Sequence, residues 1–239
     1  MASLFQTNLY QPLFNALVWL YNVIPGTDIG VAIIALTFII KVILYPLMNT
    51  SIRAQKKLQD MQPRLQELKQ RHGGNKEEMT KRTLELYKEH KINPVSSCFP
   101  VLLQIPILLA LYYVLRDGLG ATDFSRLYSF VQNPGSLDPV MFGFVNLATP
   151  NIILGVLAGA AQFWQSKMLM AKRPPKAAGE GAKDEDMAAM MNKQMTYFMP
   201  IITVLMGFQL PGGLMLYWLA STVLTALQQM IVFKKVNAS

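Results

Sequence analysis

Thr37, Lys41 and Tyr45 stand four residues apart in GVAIIALTFIIKVILYPL, residues 30–47, an otherwise apolar run. On a helix that spacing places a hydroxyl, an ammonium and a phenol on one face. The set holds no nucleophile–base pair and no metal cage. It makes a cationic, hydrogen-bonding stripe whose chemistry is attraction of carboxylates. The run is long enough to cross a bilayer, where a lysine near the centre costs about 2.5–3.5 kcal/mol on insertion scales. Either Lys41 snorkels to the cytoplasmic headgroups, or it is held in a wet cavity within the membrane. A second stripe, Tyr217, Ser221, Thr225 and Gln228, recurs at four, four and three residues and is expected to face the first. Gln104 is the deepest polar residue of another apolar run and reads as an interhelical hydrogen bond.

Other chemistry is missing from the chain. It has no G-x-x-x-x-G-K-[ST], G-x-S-x-G or H-E-x-x-H motif and no paired carboxylates inside an apolar run, so neither an ATP-driven pump nor a hydrolase is expected. No enzyme activity and no cofactor are predicted. His72 and His90 lie in a charged loop without cysteines, which argues against a metal site. Cys98 is the single cysteine; it excludes an intramolecular disulfide and reads as a buried thiol.

With 239 residues, 52% of them hydrophobic, and a mean hydropathy of +0.27, the chain reads as all-α and as a polytopic membrane protein. Residues 1–27 carry no charge, and Asn8, Gln11, Asn15 and Asn22 interrupt their apolar residues. An interfacial amphipathic helix is expected there, with Leu13, Phe14, Leu17, Val18 and Tyr21 buried and Tyr10 and Trp19 at headgroup level. The lack of a basic start argues against a secretory signal, and an amino end placed outside raises the expectation of an upstream segment. The first span is 28–48, begun at Asp28. Residues 49–93 form a charged helical hairpin, with Leu58, Met61, Leu65 and Leu68 on one face and a kink or restart at Pro63. Its turn is Gly73-Gly74, Asn75 caps its second arm, and Asn93-Pro94 closes it.

The second span is 94–116, irregular because of Pro94, Pro100 and Pro106. A polar connection covers 117–149. The third span is 150–168, where Gly155, Ala158, Gly159 and Ala161 permit close helix approach and Gln162, Gln165 and Ser166 gather at one end. Residues 169–193 read as a flexible charged loop. The uncharged run 194–233 is too long for one span, so Pro211-Gly212-Gly213 splits it into a short fourth, 194–210, and a fifth, 213–233, before a 234–239 tail. Eleven Lys or Arg lie in 48–93, six in 167–193 and two in the tail, against two in 116–138 and none before Asp28. The basic loops belong in the cytoplasm, so five spans put the amino end outside and the carboxyl end inside. Two polar stripes, one cationic, suggest a hydrophilic groove that admits the polar end of a client protein.

The runs LTFIIKVILYPL, QPRLQELKQRHGG, LELYKEHKINPVSSCFPVLLQIPILLALYYVL and FMPIITVLMGFQLPGGLMLYWLASTVLTALQQ closely resemble the bacterial YidC insertases of the YidC/Oxa/Alb family. The likeness covers about residues 10–233 and includes the charged hairpin. It implies a five-helix core whose groove opens to the cytoplasm and to lipid and is closed outside. It further implies a bacterial inner-membrane location and insertion of small membrane proteins, alone or beside the Sec translocon, with ribosome contact through the cytoplasmic loops. Lys41 maps to the family's groove cation, usually arginine, and Thr37, Tyr217 and Trp218 map to client-contacting positions. A groove glutamine is Gln165, or Gln162 in a shifted register. The chain departs from the longer bacterial forms in showing no extra amino-terminal helix, no large periplasmic domain and no extended basic tail. A channel or transporter would call for coupling carboxylates or an inverted repeat of the spans, and neither is visible. A lipid scramblase has no evident use for the hairpin, and a purely structural assembly factor remains a third alternative.

Overall fold

The computed structural model describes residues 2–72, 75–90, 95–119, 124–169 and 194–238. The readings made for Gly73-Gly74, Asn93-Pro94 and most of the 169–193 loop, and for the Cys98 side chain, lie outside the described residues. A short helix α1 (Ala2–Phe5) passes through a π-helical turn (Gln6–Tyr10) into α2 (Gln11–Val23). Then come α3 (Ile29–His72), α4 (Lys76–Glu89), α5 (Val95–Gly118), strands β1 (Val140–Met141) and β2 (Val145–Asn146), and α6 (Ile152–Leu169). A second π turn (Gln194–Phe198), α7 (Met199–Met206) and α8 (Gly212–Ala238) complete the chain.

α3 joins the segments read as the first span and the first hairpin arm into one helix of 44 residues. At 1.5 Å per residue it is about 66 Å long, roughly twice the hydrocarbon thickness of a bilayer. Pro46 and Pro63 both lie inside it, so Pro63 does not restart the helix. Its first turn is capped by Asp28, whose Oδ1 accepts from the Gly30 N–H (2.8 Å) and the Val31 N–H (3.1 Å). Asn75 Oδ1 likewise caps α4, accepting from Glu77 N (3.1 Å) and Glu78 N (3.2 Å), as the sequence predicts. Met61 and Leu65 are buried at the hairpin, and His72 reaches Glu78 across its turn (3.7 Å).

α8 packs between α3 and α6; α7 lies on α6, α5 on α3, and α2 against both α3 and α5. Within this set, Ile29–Leu65 and Gly212–Lys235 are long and apolar enough to cross a membrane. Phe38, Ile39, Val42 and Ile43 of α3 stay exposed on the protein, an apolar face that lipid would cover. α6 meets α7 through glycine. A Cβ on Gly155 would lie 2.9 Å from Gly207 Cα, and one on Gly159 would lie 2.9 Å from the Pro200 carbonyl oxygen. Ala158 and Ala161 are buried beside them.

The polar residues of α2 bond to the connection that follows α5. Asn15, 3% exposed, donates to the carbonyls of Gln11 (2.8 Å) and Arg126 (3.1 Å) and accepts from Tyr128 N (2.6 Å). Gln11 also donates to Arg126 O (3.1 Å), and Asn22 to Gln132 O (2.7 Å). Together they clamp the connection after α5 onto α2. Tyr10 is buried against Phe14, and Trp19 is exposed on the protein. Replacing Asn15 by Ala strands the Tyr128 N–H and should destabilise the fold by about 2–3 kcal/mol. Thermal unfolding in detergent, with faster hydrogen exchange around residue 128, is the check; an unchanged melt would show that the clamp contributes nothing.

The connection ends in the β1–β2 hairpin, whose turn puts Phe142 (φ 52°) and Gly143 (φ 80°) in the left-handed region. Phe142 N donates to Asp28 Oδ2 (2.6 Å), tying this hairpin to the start of α3. The Pro211-Gly212-Gly213 turn docks on the same connection through Gly212 N to Thr149 O and Gly213 N to Leu147 O, both 2.9 Å. Leu137, Met141 and Leu147 thus join Ile33, Leu36, Leu111, Val114 and Leu214 in the apolar core. That core closes the end of the helix bundle where α3 and α8 begin.

Candidate functional site

One to two turns beyond that core along α3, the packing becomes polar. α3 and α8 run in parallel, and their stripes meet. Lys41 Nζ donates to Thr225 Oγ1 (2.8 Å), whose own hydroxyl donates to Ser221 O (2.8 Å). Gln228 Nε2 donates to the Tyr45 carbonyl (3.3 Å). From α5, Gln104 Nε2 donates to the Tyr217 hydroxyl (2.5 Å), the interhelical bond expected of it, and Ser221 reaches the same hydroxyl. Tyr217 is 2% exposed, so its ring seals the core while its oxygen turns toward the polar set.

Lys41 has a hydroxyl for a partner and no carboxylate among the described residues. The sequence explains why. Neither α3 before Asp60 nor any residue after Asp186 carries an acid, so the helices around the ammonium cannot supply one. Its charge is solvated by Thr225 and left uncompensated.

Other candidate residues are placed differently. Thr37 is fully buried and spends its hydroxyl on Ile33 O (2.7 Å) of its own helix. Tyr45 contributes its backbone carbonyl, and its ring is exposed. Trp218 is partly exposed. Gln162 bonds Thr203 of α7, separate from the Lys41 cluster, while Gln165 is partly exposed three residues further along α6. Thr203, Gln229 and Asn49 escaped the sequence reading. Gln229 is 2% exposed, and its Oε1, like Asn49 Oδ1, is buried without a hydrogen-bond partner among the described residues. Gln228-Gln229 on an apolar helix was the available signal; nothing local marks Thr203.

Comparison with known proteins gives the family of the chain. Residues 19–239 match the family described as 60Kd inner membrane protein. The chain belongs to this family. It is 35% identical over 208 residues to the membrane protein insertase YidC of Fusobacterium nucleatum, covering 87% of each chain. It is 32% identical over 226 residues to the membrane protein insertase YidC of Mannheimia succiniciproducens, covering 94% of this chain and 36% of that one. The YidC of Geobacter metallireducens is 31% identical over 231 residues, 97% of this chain and 38% of the relative. The chain therefore spans most of the first relative and little more than a third of the other two. It is a helical membrane protein of the YidC type.

Proposed function

We propose that the protein is a membrane protein insertase and chaperone that passes the polar flanks of small membrane proteins through a hydrated groove around Lys41. Five helices, α3, α5, α6, α7 with its π turn, and α8, cross the inner membrane, with the amino end outside and the α3–α4 hairpin in the cytoplasm. In this reading α2 and the 124–150 connection cap the groove on the outside. The observation that carries the proposal is the uncompensated ammonium of Lys41 between two polar helix faces. Buried, unpartnered amide oxygens at Asn49 and Gln229 further favour a wet interior.

The physics suits a passive device without ATP. Burying a client's apolar segment of about 20 residues in lipid is favourable by itself, so the barrier lies in the polar flank. A hydrated groove shortens the dry part of that crossing. The membrane potential adds up to about 2.3 kcal/mol per acidic charge moved outward per 100 mV. Clients are nascent membrane proteins, with the Sec translocon as a further partner and the ribosome as another through the cytoplasmic loops.

The test is reconstitution of the purified chain in proteoliposomes with a short client bearing an acidic amino-terminal flank. Protease protection of the flank is the expected result. A protein that binds the client yet leaves its flank accessible would be an assembly factor, and the insertase reading would fall.

A further inference from the structure

Beside the first π turn lies a cavity of about 200 Å³ lined by Gln6, Thr7, Tyr10, Gln11 and Arg126. The wider π turn gives this stretch its unusual shape, of a kind frequent at functional sites. Its lining offers a guanidinium, a phenol, a hydroxyl and two carboxamides, and no carboxylate. Arg126 lies 5.5 Å from the centre of the Tyr10 ring. Its position is fixed through the backbone, because its carbonyl accepts from Gln11 and Asn15; the guanidinium also reaches the Tyr10 hydroxyl, and the rest of its five N–H donors can serve a ligand. Burial pushes the Tyr10 hydroxyl up, Asp117 adds to that, and Arg126 and Arg116 oppose it; the phenol stays a donor at neutral pH. Arg116, the other cation at this end of the bundle, is bonded to Asp117 (2.7 Å) and stacked over Tyr113 (5.0 Å).

An exposed apolar track leads away from these groups. Phe5 meets Tyr113 edge to face (6.3 Å), and Tyr113, Leu109, Ile105 and Leu102 of α5, all exposed, repeat at four, four and three residues on one face. A polar, cationic cavity at the head of an uncovered apolar stripe has the shape of an amphiphile. We propose that this cavity binds the phosphate of an anionic phospholipid whose acyl chain lies along the α5 stripe. Arg grips a phosphate with two parallel hydrogen bonds, and aromatic rings beside it suit the headgroup level. The lipid would anchor α1 and α2 against α5 at the outer surface. The inference rests on the placement of α2 at that surface in the reading above.

Native mass spectrometry of the full chain in detergent, titrated with phosphatidylglycerol or phosphatidylcholine, tests the proposal. The wild type should retain phosphatidylglycerol preferentially, Arg126→Gln should lose that preference by about tenfold, and Arg126→Lys should keep part of it, with all three melting alike. Equal retention by wild type and Arg126→Gln overturns the site. Millimolar inorganic phosphate should leave the lipid bound; its displacement would assign the cavity to a free anion instead. Bromolipid quenching of Trp19, with Trp164 and Trp218 replaced by Phe, checks the placement of α2 separately, so failure of the site and failure of the membrane reading are told apart.

Discussion

Lys41→Met is expected to raise the stability of the protein by about 2 kcal/mol and to lower insertion of acidic-flank clients by about tenfold. The opposite signs follow from one cause. A lysine inside an apolar helix is costly to bury, and here a single neutral hydroxyl, Thr225, offsets that cost. Methionine fills the same space without the charge. A client carboxylate about 4 Å from the ammonium would gain roughly 4 kcal/mol at an effective dielectric of about 20. Desolvation of both ions removes more than half of this, which leaves a preference near tenfold. Lys41→Arg should insert nearly as well as wild type, since it keeps the charge and adds donors. Protease protection of the flank in proteoliposomes, run beside thermal unfolding, reads both quantities. A client with a neutral flank should be indifferent to all three residues. If Met inserts the acidic client as well as Lys, hydrated shape rather than charge carries the mechanism.

Gly155→Leu should separate α6 from α7 and destabilise the protein by about 3 kcal/mol or more. The added Cβ would sit 2.9 Å from Gly207 Cα and 3.2 Å from the Val204 carbonyl oxygen. Both are backbone atoms, so no side-chain rotation relieves the clash. Inside a membrane no hydrophobic force holds helices together, and close packing of small residues takes its place. The Gln162–Thr203 bond joins the same two helices and should be lost with the contact. Disulfide crosslinking of cysteine pairs placed across α6 and α7, together with the thermal midpoint, measures the effect; efficient crosslinking and an unchanged midpoint in Gly155→Leu would refute it.

Much of this was legible because helical periodicity is a local property. The spacing of Thr37, Lys41 and Tyr45, and of Tyr217, Ser221, Thr225 and Gln228, already implies two polar faces, and the structure brings Lys41 to Thr225 and Gln228 to the Tyr45 carbonyl. Asn75 as a cap and the glycines of α6 follow from equally local rules, since one residue's side chain, or its absence, decides each. Long-range partners were not legible, because local pattern does not encode them. Asn15 and Asn22 stand out only as polar residues on an apolar helix, and their bonds to a segment more than a hundred residues away have no local signature.

The sequence by itself determined that the chain is a membrane protein with a cation inside an apolar helix and no acid nearby in the chain, because composition and spacing are properties of the chain alone. Tertiary structure decided which polar atoms meet. Thr37, on the same stripe as Lys41, satisfies its hydroxyl within its own helix, and Gln162 rather than Gln165 bonds across to Thr203. A side chain's hydrogen-bond partner depends on helix rotation and on neighbours distant in sequence. No local pattern encodes those; the packing of α3, α8 and α6 does.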